Sequence, residues 1–370
     1  MCHHQSRMAR IKGSFWALLL YDVAEEIQLG DARKLLGAAP PERRPGFRGP
    51  APEYVRFEQP PVVYSPGDVR LQSGEAWQAV VKFYAYGVVS IALELPFECD
   101  WDNVVQLASR WLGSAEIERH AMEVARTQVA RIHSALLKPY ENWTVEDYYA
   151  VHVAGAPDAG GRELSASEML AGYGPRIAQI VRGEVLPLSE TEIAETLGQW
   201  VSYYPTDLLV VGWMAAFMYD TTEGAAPILQ LLEYANTQLL DFRHYDDLLT
   251  KVLATVYDSL ERHRTVLGRW KIGAEAERLN RIRLEIIELT ERVDNSIKFL
   301  SDMFYARAYR LAARKIGVTD YRELVDEKLK TAGDLYQSMA GEFHQARAFI
   351  LEVMVVAILI IELVFLFRGK

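Results

Sequence analysis

The sequence predicts an α+β head domain, followed by a long, coiled-coil-like helical hairpin and a C-terminal transmembrane helix. Three observations carry that expectation. Apolar and polar residues alternate from Trp77 to Phe83 and again from Val89 to Leu95, the period of strands with one buried face. Two heptad-like seams follow, Leu279-Ile282-Ile286-Leu289-Val293-Ser296-Leu300-Met303 and Val325-Leu329-Ala332-Tyr336-Met339-Phe343-Ala346-Ile350. Finally, Phe349 to Phe367 is apolar apart from Glu352 and Glu362.

Composition narrows the function. The 370 residues carry a formal charge of −10, which disfavours bulk nucleic-acid binding. Two cysteines, Cys2 and Cys99, make no disulfide framework and suit a reducing compartment. No phosphate loop, dinucleotide glycine pattern, zincin helix, nucleophile elbow or cysteine-pair motif occurs, so neither a cofactor nor a metal is expected.

In chain order, residues 1–12 read as a flexible terminus, with Met1 and Met8 equal candidates for the start. Asp22 and Glu25 end the first apolar run too early for a secretory signal, so Phe15 to Val23 reads as a buried strand. Gly30 to Leu36 reads as a short helix. Residues 39–52 hold five prolines and three arginines without periodicity, a mobile loop. Gly87 makes the alternating segment either a hairpin or one bulged strand. Helices are expected at Trp101 to Leu112 and Ala115 to Leu137, a strand at Thr144 to Val153, and helices at Ala166 to Arg182 and Glu190 to Leu197. Asp207 to Tyr219 is nearly all apolar and reads as one central strand, covered on both faces. The head thus spans 13–225.

A stalk, 226–347, begins with a long helix capped at Thr221 and Thr222, passes a joint at Gly268 and Gly273, and turns near 317–319. Residues 348–367 form the expected span, with 368–370 as a short tail. Its fifteen Leu, Ile, Val and Phe residues favour insertion by roughly 4 to 9 kcal/mol, against about 2.5 to 3.5 for a carboxylate at mid-span. The bulk of the chain is expected in the cytoplasm, with membrane lipid as a partner.

Candidate sites follow from charge placement. Glu352 and Glu362 lie about 80° apart on the helix, so both can face one side of it; Glu352 is close enough to the interface to snorkel, and the deeper Glu362 is expected to be buried against another copy of the chain, making a homo-oligomer. From Glu261 to Lys315 there are thirteen basic and eight acidic residues, and Arg307, Arg310, Arg314 and Lys315 have no acidic neighbour in sequence. They form a candidate surface for an acidic protein, RNA or a ribosome; a solvated helix face is the plainer reading. The densest polar cluster holds Asp241, Arg243, His244 and Asp247, where Asp241 and His244 share a helix face and could serve a metal-dependent enzyme. A structural ion-pair network explains the same residues. Glu116 with His120 reads as a surface pair, and His133 and His152 as structural.

One family likeness rests on Phe83-Tyr-Ala-Tyr-Gly87-Val-Val, Asn236-Thr-Gln-Leu-Leu-Asp241-Phe-Arg243, the hairpin, and a terminal span with acids at Glu352 and Glu362. From Ala76 onward the chain resembles the required-for-meiotic-nuclear-division family, a domain of unknown function with mitochondrial, fungal and bacterial members. The resemblance implies a membrane-anchored, oligomeric scaffold or tether without established enzymatic activity. A mitochondrial member is associated with holding mitochondrial ribosomes at the inner membrane. No catalytic residues carry over. The chain departs by lacking a mitochondrial presequence and by its proline-arginine loop, which favours a bacterial inner membrane over a mitochondrial one.

Overall fold

The computed structural model describes residues 10–38, 55–57, 60–71, 74–157, 160–262, 276–284, 286–288, 297–299 and 303–368. The expectations for residues 1–9, for the loop 39–52, for the joint at Gly268 and Gly273 and for residues 369–370 lie outside these. By internal contacts the chain forms two units, Met1–Asp241 with Arg292–Asp320, and Phe242–Glu291 with Tyr321–Lys370.

The first unit is built on a sheet centred on β1 (Ile11–Ile27), flanked by β5 (Val88–Cys99) and β6 (Leu136–Gly155). On one side β5 leads to β4 (Ala76–Phe83) and the edge strand β3 (Val62–Arg70), whose Pro66 sits at a register shift where no ladder donor is needed. On the other, β6 pairs in parallel with β9 (Ala215–Tyr219), followed by β8 (Leu208–Val211) and the edge strand β7 (Trp200–Val201). A separate pair joins β2 (Val55–Phe57) to β10 (Ile297–Phe299).

Period-two alternation gives β1 two buried faces. Phe15, Ala17, Leu19, Tyr21 and Val23 share a core with Trp101 and Val104 of α2 (Trp101–Trp111), Ile117 and Ala121 of α3 (Ala115–Arg131) and Ile177 of α4 (Ala166–Arg182). Leu18, Leu20 and Asp22 point the other way, towards the long helix α6 (Thr222–Arg262). Two short helices, α1 (Leu29–Leu36) and α5 (Glu190–Leu197), complete the elements before it.

Gly87 makes a hairpin. Tyr84 donates to Val88 O at 2.9 Å and Gly87 to Tyr84 O at 3.2 Å. Gly87 has φ +91°, and a Cβ there would stand 1.7 Å from Ala24 O, so only glycine lets the turn lie against β1.

Several expectations are corrected. Asp207 to Tyr219 is two buried antiparallel strands, because Gly212 donates to Ala215 O at 2.8 Å and reverses the chain. The helix expected to reach Leu137 ends at Arg131; a 3-10 turn, His133–Ala135, intervenes, and Leu136 already pairs with Ile27 of β1. Pairing across a long central strand overrides local helix propensity there. The first arm of the expected hairpin is broken as well, since Ile297–Phe299 is a strand. The next helix, α7 (Met303–Ile316), packs on β7 and β8.

In the second unit, Leu253 and Val256 of α6 pack with Ala276, Leu279 and with Ala332 and Met339 of α8 (Val318–Arg368). Lys328 Nζ ties the helices by reaching Asp246 Oδ1 at 2.5 Å and Thr250 Oγ1 at 2.6 Å. Among the described residues no helix is long and apolar enough to cross a membrane. Across the described side chains from Arg347 to Val364, three charged groups, Arg347, Glu352 and Glu362, punctuate the apolar run. This overturns the transmembrane helix, the tail anchor and the inner-membrane placement drawn from them. The large apolar side chains from Phe349 to Val364 are about half exposed.

Candidate functional site

Two features of the first unit concentrate polar chemistry. The first is a seam between α6 and the sheet. Glu233, Thr237 and Asp241 recur at i, i+4 and i+8, so one stripe of α6 is polar within an otherwise apolar run, and all three are buried. The stripe meets partners from the hairpin and from β1. Lys82 Nζ of β4 pairs with Glu233 Oε2, and the Tyr86 hydroxyl lies 2.8 Å from Thr237 Oγ1. Ser90 pairs in register with Lys82 and with Leu20, placing it on the same face.

Ionisation in the seam follows from burial. The carboxyls of Asp22 and Asp241 are both held well above the usual carboxylate range, chiefly by desolvation and, for Asp241, also by the nearby Asp22 charge. Burial likewise pushes up Tyr84, where Glu233 adds, and Tyr86. The pair therefore retains protons at pH values where exposed carboxylates have lost theirs. Glu233 Oε1, Asn236 Oδ1 and Asp241 Oδ2 accept no hydrogen bond from the described residues.

The second feature is a groove beside α7. Ala308, Leu311, Ala312 and Ile316 are buried against β7 and β8, while Arg307, Arg310 and Arg314 are exposed along a flank of the helix that borders β7. Gly317, at φ +97°, ends the helix; a Cβ there would touch the Trp213 ring at 3.2 Å. On the far side of α7, the Tyr309 ring lies tilted 5.9 Å from that of Tyr234 and its hydroxyl donates to Gln238 Oε1, anchoring the helix to α6. The three arginines, with Leu311 and Thr319, line a cleft of about 750 Å³ opposite Gly198, Gln199, Trp200 and Val201. Arg310 Nε donates to Ala306 O at 3.2 Å, and neither Arg310 nor Arg314 forms an ion pair with another described residue. Trp200 is 44% exposed, and Tyr203, 58% exposed, lies 5.2 Å from Phe304 at the start of α7.

Other residues singled out in the sequence lie as follows. Lys315 does not join the arginine face, because it pairs with Glu195 at 3.4 Å. Asp241 belongs to the seam. Arg243 sits 6.0 Å over the Tyr321 ring. Asp247 pairs with Lys251 at 2.5 Å, and burial lowers the His244 pKa against the opposing pull of Asp247. Among the described residues no group of three or more His, Cys, Asp or Glu could hold a metal. Glu352 and Glu362 are exposed. His120 Nδ1 bonds the Glu116 backbone carbonyl at 2.9 Å rather than its carboxylate, His133 is exposed on its turn, and His152 Nε2 donates to Asp220 O at 2.8 Å. Sequence reasoning missed Asp22, Lys82, Tyr84, Tyr86, Glu233, Thr237 and Trp200. The signal for two of them, Glu233 and Thr237, was present, a Glu-Thr-Asp stripe at i+4 spacing that ends at Asp241 inside an apolar helix.

The sheet and its flanking helices define an α+β domain, which over residues 12–226 matches the family model described as "Uncharacterized protein MJ0711, N-terminal domain". The match covers more than half of the chain, which belongs to that family. It includes the Gly198–Val201 side of the groove and ends before the Glu233 stripe and α7. Comparison with curated proteins and with solved structures gave no match.

Proposed function

We propose that the chain is a non-catalytic scaffold or tether whose head holds a polyanionic partner in the α7 groove. One observation carries this. Arg307, Arg310 and Arg314 project from one helix face into a cleft, in a chain whose net charge is −10. A cationic stripe in an acidic protein concentrates field where it is needed and repels the same partner elsewhere. Guanidinium groups suit phosphate or carboxylate oxygens, which they bind in pairs of hydrogen bonds. The resemblance to the required-for-meiotic-nuclear-division family supports a tethering role and makes a ribosome a partner to try first.

The test is co-sedimentation of the full chain with ribosomes over a range of salt. Binding should weaken with salt, and Arg307→Gln/Arg310→Gln/Arg314→Gln should lower the slope of log K against log salt by about 0.7 to 0.9 for each phosphate that the variant no longer neutralises. Binding that ignores both salt and the triple substitution would remove the groove from the function.

A further inference from the structure

We infer that the occupant of the groove is a short single-stranded nucleic acid segment, read without base specificity, with one base stacked on Trp200. The inference rests on the polyanion reading above and adds the ligand class. Arg307 to Arg314 covers about 10 Å of helix axis, enough to follow a few consecutive phosphates along one wall. The opposite wall is β7, whose Trp200 indole is 44% exposed although it belongs to an apolar residue of a paired strand. Arginines that track a backbone facing an exposed ring are the two parts of a single-strand platform, because every base has a face that can stack.

The open cleft, of about 750 Å³, has room for a nucleotide or two beside the Trp200 ring, and a duplex keeps its bases stacked on one another and offers none of them to the indole. An acidic peptide would satisfy the guanidinium groups but gives the indole no role.

The experiment uses the full chain and fluorescence anisotropy of labelled oligouridine and oligoadenosine. Unlabelled duplex of the same length and poly-glutamate serve as competitors. Single strands of either base should bind, and duplex and poly-glutamate should compete at least about tenfold less well. Trp200→Ala should weaken binding by about 5- to 150-fold, the equivalent of one stacked base, and Trp200→Phe should restore most of it. Unchanged melting temperatures would show that these exposed-site variants fold. If duplex and poly-glutamate compete equally and Trp200→Ala binds normally, the single-strand inference fails while the polyanion reading stands. If no polyanion binds the parent chain, both fail.

Discussion

Asp241→Asn should make the folded head more stable at neutral pH, and the reason lies in proton linkage. In the folded chain Asp22 and Asp241 are both buried and titrate well above the usual carboxylate range; unfolded, each returns to its ordinary value near 4. A group whose folded pKa is raised contributes its full stability below the unfolded pKa and loses it as pH rises towards the folded one. Between those limits the folded state binds the extra proton, so unfolding free energy falls by about 1.4 kcal/mol per pH unit for each carboxyl concerned. Asn keeps the shape of Asp and cannot ionise. From about pH 5 to about pH 7 the variant should therefore lose less stability than the parent, so that its advantage widens as pH rises. Urea unfolding followed by fluorescence of Trp77, Trp101 and Trp111, all in the head core, measures both curves. His152 has its pKa lowered by burial, so it contributes stability above about 6.5 that is lost as pH falls, the opposite sign. It is common to parent and variant, and the difference between the curves cancels it. Parallel curves across that range would refute the buried carboxyl pair.

Other expectations concern the same face and the hairpin. Glu233→Gln or Lys82→Met alone should cost about 3 to 5 kcal/mol by leaving one buried charge without its partner, whereas Lys82→Met with Glu233→Leu should be near neutral; equal losses in all three, read by denaturant midpoint, would contradict a buried pair. Gly87→Ala should destabilise by more than about 2 kcal/mol, since the side chain meets Ala24 O in a left-handed turn; an unchanged melting temperature would count against the hairpin geometry. Arg310→Glu/Arg314→Glu should leave melting unchanged, both residues being exposed, while abolishing salt-sensitive binding to polyanions.

Local pattern determined much of this protein. Alternation located β4 and β5, capping and apolar spacing placed α4 at Ala166–Arg182 and α5 at Glu190–Leu197, and the charge asymmetry around Arg307, Arg310 and Arg314 was visible before any fold was known. These features depend on neighbours within a few residues, which is the range a sequence pattern spans. Tertiary structure decided the rest. Asp22 and Asp241 lie more than two hundred residues apart, and only the packing of α6 on β1 makes them one ionising pair. Lys82 is an ordinary outward residue of an alternating strand until Glu233 descends on it. Gly212 inside an apolar run is silent until a second strand needs room to return, and the heptad pattern through Val293 and Leu300 promised a helix where pairing with Val55–Phe57 formed a strand. The arginines needed the opposite wall as well, since Trp200 comes from a distant sheet edge. Such partners are chosen by burial summed over the whole fold, a quantity that no short window of sequence contains.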